Sequence, residues 1–163
     1  MKKITILTLL AVIYGVFPAV ITADEAEFPF ASQINARQAS MTLYRYNLGM
    51  LGAMAQGSIP YDAKIATDAS HNLLQITNMR NPTMWPAGSD TGAPGLADKT
   101  AAKTVMWSNF PEVGEKHHAL TEALKEMSLV AGNGVDGIRA TIGSVGKACK
   151  ACHERFRVPE EED

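Results

Sequence analysis

The chain has 163 residues, 46% of them hydrophobic, with 15 basic and 17 acidic side chains, a formal net charge of −2 and two cysteines. With no basic patch, the sequence excludes a nucleic-acid-binding protein of the usual electrostatic kind. Two cysteines are too few for a disulfide-rich scaffold or a four-cysteine zinc site.

The first residues read as a secretory signal peptide, 1–23. Lys2 and Lys3 form a charged start, Ile4 to Val20 an apolar run broken by Gly15 and Pro18, and small residues lead to cleavage after Ala23. The run is short for a membrane anchor and holds a proline, so no membrane association is expected after cleavage. Loss of Lys2 and Lys3 leaves 13 basic against 17 acidic residues. Residues 24–158 then form one domain, and 159–163 (Pro-Glu-Glu-Glu-Asp) an acidic, solvated tail.

Four helices are expected within the domain. The first spans about Ala31 to Gln56 after Pro29, with Ile34, Met41, Tyr44, Leu48, Leu51 and Ala55 as its apolar stripe, and ends at Gly57-Ser58-Ile59-Pro60. The second runs from about Tyr61 to Asn78, with Ile65, Ala69, Leu73 and Ile76 inward. A long loop, about Arg80 to Met106, is dense in Pro, Gly, Ser, Thr and Asp; a loop of that length in a compact domain is functional or flexible.

The third helix begins near Asn109, with Pro111 suited to a first turn, and carries Val113, Leu120, Leu124, Met127 and Val130 before Gly132-Asn133-Gly134. The fourth shows Val135, Ile138, Ile142, Val145, Cys149, Cys152 and Phe156 on one face. The pattern predicts an all-α fold, an antiparallel up-down-up-down four-helix bundle. Gly49 and Gly52 read either as sites of close helix approach or as tolerated glycines.

The most informative residues are Cys149-Lys150-Ala151-Cys152-His153. Cys-x-x-Cys-His is the attachment sequence of a c-type haem: two thiols add to the vinyl groups and the imidazole becomes the proximal iron ligand. On a helix the three side chains share a face toward one flat macrocycle. The other readings are a thioredoxin-like pair, half a zinc site or a structural disulfide. The first expects a strand before the motif, and the second needs two more ligands. Since both cysteines lie on the core stripe, the haem is expected to lodge within the bundle.

The chain resembles the class II c-type cytochromes: the cytochrome c′ family and its low-spin relatives. The stretch Gly143 to Arg157 looks like that family's last-helix signature, Arg37-Gln38-x-x-Met41 like its first-helix haem motif, and Gly57-x-x-Pro60-Tyr61-Asp62-Ala63 like its first turn. Trp107-Ser108-x-Phe110 is similar to its lead into the third helix, though Thr104-Val105-Met106 stands where the family usually has Pro-Glu-Ile. The resemblance implies one covalent haem c. It places Arg37 at a propionate, Gln38 beside it, Arg157 near the proximal face and Met41 on the distal side of the iron. Two branches exist: in one Met41 would be the sixth ligand beside His153, in the other it would only pack over an open iron. Arg37-Gln38 leans toward cytochrome c′, whereas Leu51 to Gly57 looks more like the low-spin branch.

The expectation is therefore a periplasmic, non-enzymatic monohaem cytochrome that carries one electron between redox partner proteins. The alternative is a five-coordinate cytochrome c′ taking NO or CO, and a second alternative is a haemless binding module with a Cys149–Cys152 thiol pair. The family also allows a homodimer through the first two helices. Met50, Met54, Met79, Met84, Met106 and Met127 read as core or loop fillers, and His71, His117 and His118 as solvent-facing. Trp85 either covers a haem edge or anchors the long loop.

Overall fold

A computed structural model of the protein describes residues 28–159; the expected signal peptide and the tail beyond Pro159 lie outside them. Four helices account for the domain: α1 (Ala31–Gln56), α2 (Ala63–Asn78), α3 (Phe110–Val130) and α4 (Val135–Phe156). Each packs on its neighbour in chain order, and α4 closes back on α1. The start of α1 therefore lies beside the end of α4, which is where both candidate haem segments sit. No helix among the described residues is long and apolar enough to cross a membrane.

Local chemistry sets the helix ends. Gly57, at φ 75°, closes α1: its N–H donates to Met54 O, and Ser58 N–H donates to Ala53 O. That left-handed position favours glycine. Asp62 lies just outside α2, which begins two residues later than expected, and its carboxylate accepts from Ile65 N–H at 2.9 Å. Pro111 occupies the first turn of α3, where a missing N–H costs nothing. The turn into α4 is locked by Tyr61, whose hydroxyl donates to Ala131 O and accepts from Gly134 N–H.

The core joins Leu51, Met54, Leu73, Leu124, Met127, Ile138 and Val145. Most of the expected stripe residues on α1 and α2 (Ile34, Tyr44, Leu48, Leu51, Ala55, Ala69 and Leu73) are buried or pack on the core, and the two departures are Met41 and Ile65. On α1, Arg37, Ser40 and Asn47 are buried while Met41 is 44% exposed. Polar groups can hold these inner positions because each is bonded: Ser40 Oγ donates to Ala36 O, Asn47 Nδ2 to Leu43 O, and Arg37 to the long loop. On α2 the inner face is Ala66, Ala69, Ser70, Leu73 and Thr77, and Ile65 points outward. Small residues let α2 approach its neighbours closely, which turns the bulkier Ile65 to the surface.

Close approach is required elsewhere than at Gly49 and Gly52. A Cβ on Gly49 would meet nothing within 4 Å, and one on Gly52 would make an ordinary 3.8 Å contact. At Gly137 it would stand 2.4 Å from Val130 O.

The long loop has a definite course. Two short 3-10 turns, Pro82–Met84 and Thr104–Met106, punctuate it. Its last part pairs with the end of α4: Lys103 N–H donates to Phe156 O, Val158 N–H donates to Ala101 O, and Ala102 bridges Arg157. The loop thus straps the end of α4 that bears the cysteines.

Candidate functional site

Cys149 and Cys152 lie one turn apart on α4, both half-buried and both free thiols. Burial raises both thiol pKa values; Cys152 adds to the rise at Cys149, while Lys116 opposes it at Cys152. Such thiols are held neutral, unlike the low-pKa thiolate of a redox-exchange enzyme. His153 follows directly and is exposed; its backbone carbonyl accepts from Arg157 N–H at 2.9 Å. With Glu154, Arg157, Val158 and Pro159 it lines a shallow open hollow of about 190 Å³. Arg157 itself is half-buried within the bridge to Ala102.

The donor set fits a covalent haem. Two neutral thiols share a helix face with an adjacent imidazole that is open to the outside. Among the described residues no group of three or more His, Cys, Asp or Glu side chains could hold a metal ion, so the zinc reading finds no further ligands. The surroundings are all-helical, without the strand that a thioredoxin-like pair would follow.

Across from α4, the start of α1 carries the other candidates. Gln38 is exposed and donates from Nε2 to Lys99 O at 2.9 Å. Arg37 is 4% exposed. Its Nη1 donates to Ser89 Oγ at 2.7 Å and to Met84 O at 3.3 Å; its Nη2 donates to Thr100 Oγ1 at 2.8 Å and to Ser89 O. The guanidinium also lies against the Trp85 and Trp107 rings. Arg37 is thus the clamp that holds the long loop to α1, and a solvent-facing role is ruled out. Four of its five N–H groups are committed to this work, leaving Nε–H for any propionate.

Trp85 is part of the same clamp, as the loop-anchor reading expects. The clamp itself escaped the sequence. Its one signal is that Ile34 and Arg37 share the spacing of the inner face, with two tryptophans flanking the loop. Met54, Met106 and Met127 are buried and Met79 is 43% exposed. His71, His117 and His118 are exposed, and His117 Nε2 lies 3.0 Å from Thr77 O.

The chain is similar to known proteins in sequence and fold. The family model described as cytochrome C' matches residues 32–157. A cytochrome c-554 of Cereibacter sphaeroides is 34% identical over 124 residues, covering 76% of this chain and 91% of the relative. A cytochrome c' of the same organism is 35% identical over 150 residues, covering 92% and 96%. The solved cytochrome c' from Rhodobacter spheriodes superposes with a TM-score of 0.74 at 31% identity, over 80% of this chain and 98% of that one. On the extent of these matches, the chain belongs to the cytochrome c′ family of class II c-type cytochromes, four-helix bundles that bind one covalent haem c.

Proposed function

We propose that the protein is a periplasmic electron carrier, with haem held through Cys149 and Cys152 and with His153 as proximal iron ligand. The reading rests on one observation: two free, half-buried thiols one turn apart on α4, with an imidazole next to them and the start of α1 alongside. Bound haem supplies a reversible one-electron ferric/ferrous couple. The chain's own residues hold and shield it. Met41 lies on α1 at the end of the bundle where α4 carries Cys149, and it serves as the sixth ligand. Arg37 and Gln38 keep the long loop closed over this end, so the site changes little in shape between oxidation states. Arg157 puts a cation beside the proximal side. Redox partner proteins reach the exposed His153 hollow.

A homodimer through α1 and α2 belongs to the same reading. Leu43 (51% exposed), Tyr46 (66%) and Ile65 (42%) leave an apolar surface on these two helices.

The test is the visible spectrum of the ferrous protein before and after carbon monoxide is added. A sharp low-spin spectrum that carbon monoxide leaves unchanged is expected, with Met41 on the iron. A broad high-spin spectrum that converts on carbon monoxide would assign gas binding at an open iron instead. Absence of haem bands in protein from a host able to mature c-type cytochromes would overturn both.

A further inference from the structure

The turn between α3 and α4 holds Asn133-Gly134, and no other asparagine of the chain is followed by glycine. Asparagine before glycine is the step of a chain most open to intramolecular attack, because glycine puts no side chain in the way of its own amide nitrogen. Asn133 is exposed, so water and base reach it. It closes a 3-10 turn, Ala131–Asn133, and Gly134 follows at φ 132°, a conformation that glycine adopts readily.

Two contacts restrain the reacting groups. Asn133 Nδ2 donates to Leu129 O at 3.1 Å, which turns the side-chain amide back onto α3. Gly134 N–H, at the nitrogen that would attack, donates to Tyr61 Oη at 2.9 Å, and the same hydroxyl donates to Ala131 O at 3.0 Å. That nitrogen has to leave Tyr61 before base can remove its proton. Ring closure also needs a more extended backbone at the asparagine than a 3-10 turn has. The reaction therefore waits for local opening of the turn, and the Tyr61 bonds set how often it opens.

We propose that Asn133-Gly134 is a deamidation site and that Tyr61 sets its rate. Base takes the Gly134 amide proton, the nitrogen bonds to Asn133 Cγ, and the Cγ–Nδ2 bond breaks as ammonia leaves with a proton from solvent. Water then opens the cyclic imide at one of its two carbonyls. Overall water enters and ammonia leaves, with no oxidation or reduction. One product is aspartate, and the other is isoaspartate, which has an extra carbon in the main chain. The junction has no slack for that carbon, since a Cβ on Gly137 would already stand 2.4 Å from Val130 O. Isoaspartate should loosen the start of α4, at the other end of that helix from Cys149 and Cys152. The inference stands on the turn alone and does not depend on the haem reading.

The experiment ages the haem-bearing full chain in mildly alkaline buffer and follows residue 133 by peptide mapping with tandem mass spectrometry. Asp136-Gly137 lies nearby, but its isomerisation leaves the mass unchanged, so a mass gain localised to residue 133 belongs to Asn133. Four samples are compared: native wild type, urea-unfolded wild type, Tyr61→Phe, and Leu73→Ala at a buried core position in the later half of α2. The unfolded chain should convert fastest. Tyr61→Phe should convert about fivefold faster than native wild type, the scale of one net hydrogen bond. Leu73→Ala weakens the core without touching the turn and should convert at the native wild-type rate. Hydrogen exchange adds a readout that needs no variant: the Gly134 amide should be protected in native wild type. No conversion in native wild type after the unfolded chain has converted fully would mean that the turn is closed to the reaction. Equal rates in Tyr61→Phe and wild type, or an unprotected Gly134 amide, would mean that Tyr61 does not govern it. Equal acceleration in Leu73→Ala would route the reaction through global unfolding. Each of these results overturns the inference.

Discussion

The guanidinium carbon of Arg37 lies 5.0 Å from the centre of the Trp85 ring, so a charged group of α1 is seated on an aromatic face of the long loop. Trp107 is 6.0 Å away on another side, and its indole N–H donates to Trp85 O at 3.3 Å. Burial pulls the Arg37 pKa down and the nearby Asp90 carboxylate pushes it back up. The guanidinium stays charged, since arginine does not deprotonate in proteins. Asp90 is fixed in turn by Gly92 N–H and Thr104 Oγ1.

Arg37→Ala should therefore loosen the loop as a unit. It leaves the Ser89 carbonyl and two hydroxyls without their donor in a buried place. We expect a loss of about 3 kcal/mol, at the upper end for a single buried polar network. Arg37→Lys should recover little, because an ammonium cannot reach four acceptors in one plane. Denaturant unfolding measures the loss, and a red shift of tryptophan emission under native conditions reports exposure of Trp85 and Trp107. An unshifted emission with unchanged stability would refute the clamp.

Two glycines should respond to alanine in opposite directions. Gly137→Ala drives a methyl to 2.4 Å from the Val130 carbonyl, and that atom is backbone. The α3–α4 junction has to move, which should cost about 2 kcal/mol or more, as overpacked cores do. Gly49→Ala meets nothing within 4 Å on an exposed helix face. It should stabilise by about 0.5–1 kcal/mol through helix propensity alone. Thermal unfolding of the two variants side by side decides the matter.

Much of this architecture was legible in the sequence, and the reasons are local. The bounds of α1 follow from Pro29 and Gly57, and the face of α4 follows from the Ile138, Val145 and Phe156 ladder, because that segment obeys a single period. On α2, Ala69 and Leu73 were placed correctly, but Ile65 was turned inward in error because the helix buries Ala66 and Ser70 instead, and such small residues carry little hydrophobic signal beside Ile65. The attachment motif was plain because its chemistry is compressed into Cys149 to His153. Arg37 stood out in the sequence only as a candidate haem contact; the partners it has, Ser89 and Thr100, lie 52 and 63 residues away in the chain. No spacing rule reaches that far.

Asp62→Ala should weaken α2 at its start. The carboxylate is the only side chain capping that helix end, accepting from Ile65 N–H at 2.9 Å. The expected loss is about 1 kcal/mol, and Asp62→Asn or Asp62→Ser should restore most of it, since their oxygens accept the same bond. Hydrogen exchange at Ile65 and Ala66 should speed up in the alanine variant and stay slow elsewhere in α2. Uniform acceleration across the helix would mean that the residue acts on global stability by another route.

The thiols give a pH prediction for protein made without haem. Burial is the main cause of the raised pKa at both Cys149 and Cys152. The folded state therefore disfavours thiolate relative to the unfolded chain. The unfolded state releases these protons at lower pH, so the contribution to stability is intact below the ordinary thiol pKa. It is lost as pH rises from there through the higher folded values. Haem-free protein should accordingly lose stability between the ordinary thiol range and more alkaline pH. A Cys149→Ala/Cys152→Ala variant should lose less over the same interval. Alkylation adds a direct check, because it needs the thiolate. Native haem-free protein should react with iodoacetamide more slowly than urea-unfolded protein at each pH, and its rate should reach half-maximum at a higher pH. Equal half-maximum pH in the two states would mean that the thiols are no more buried than in the free chain, and the inward-facing cysteines of α4 would have to be reassigned.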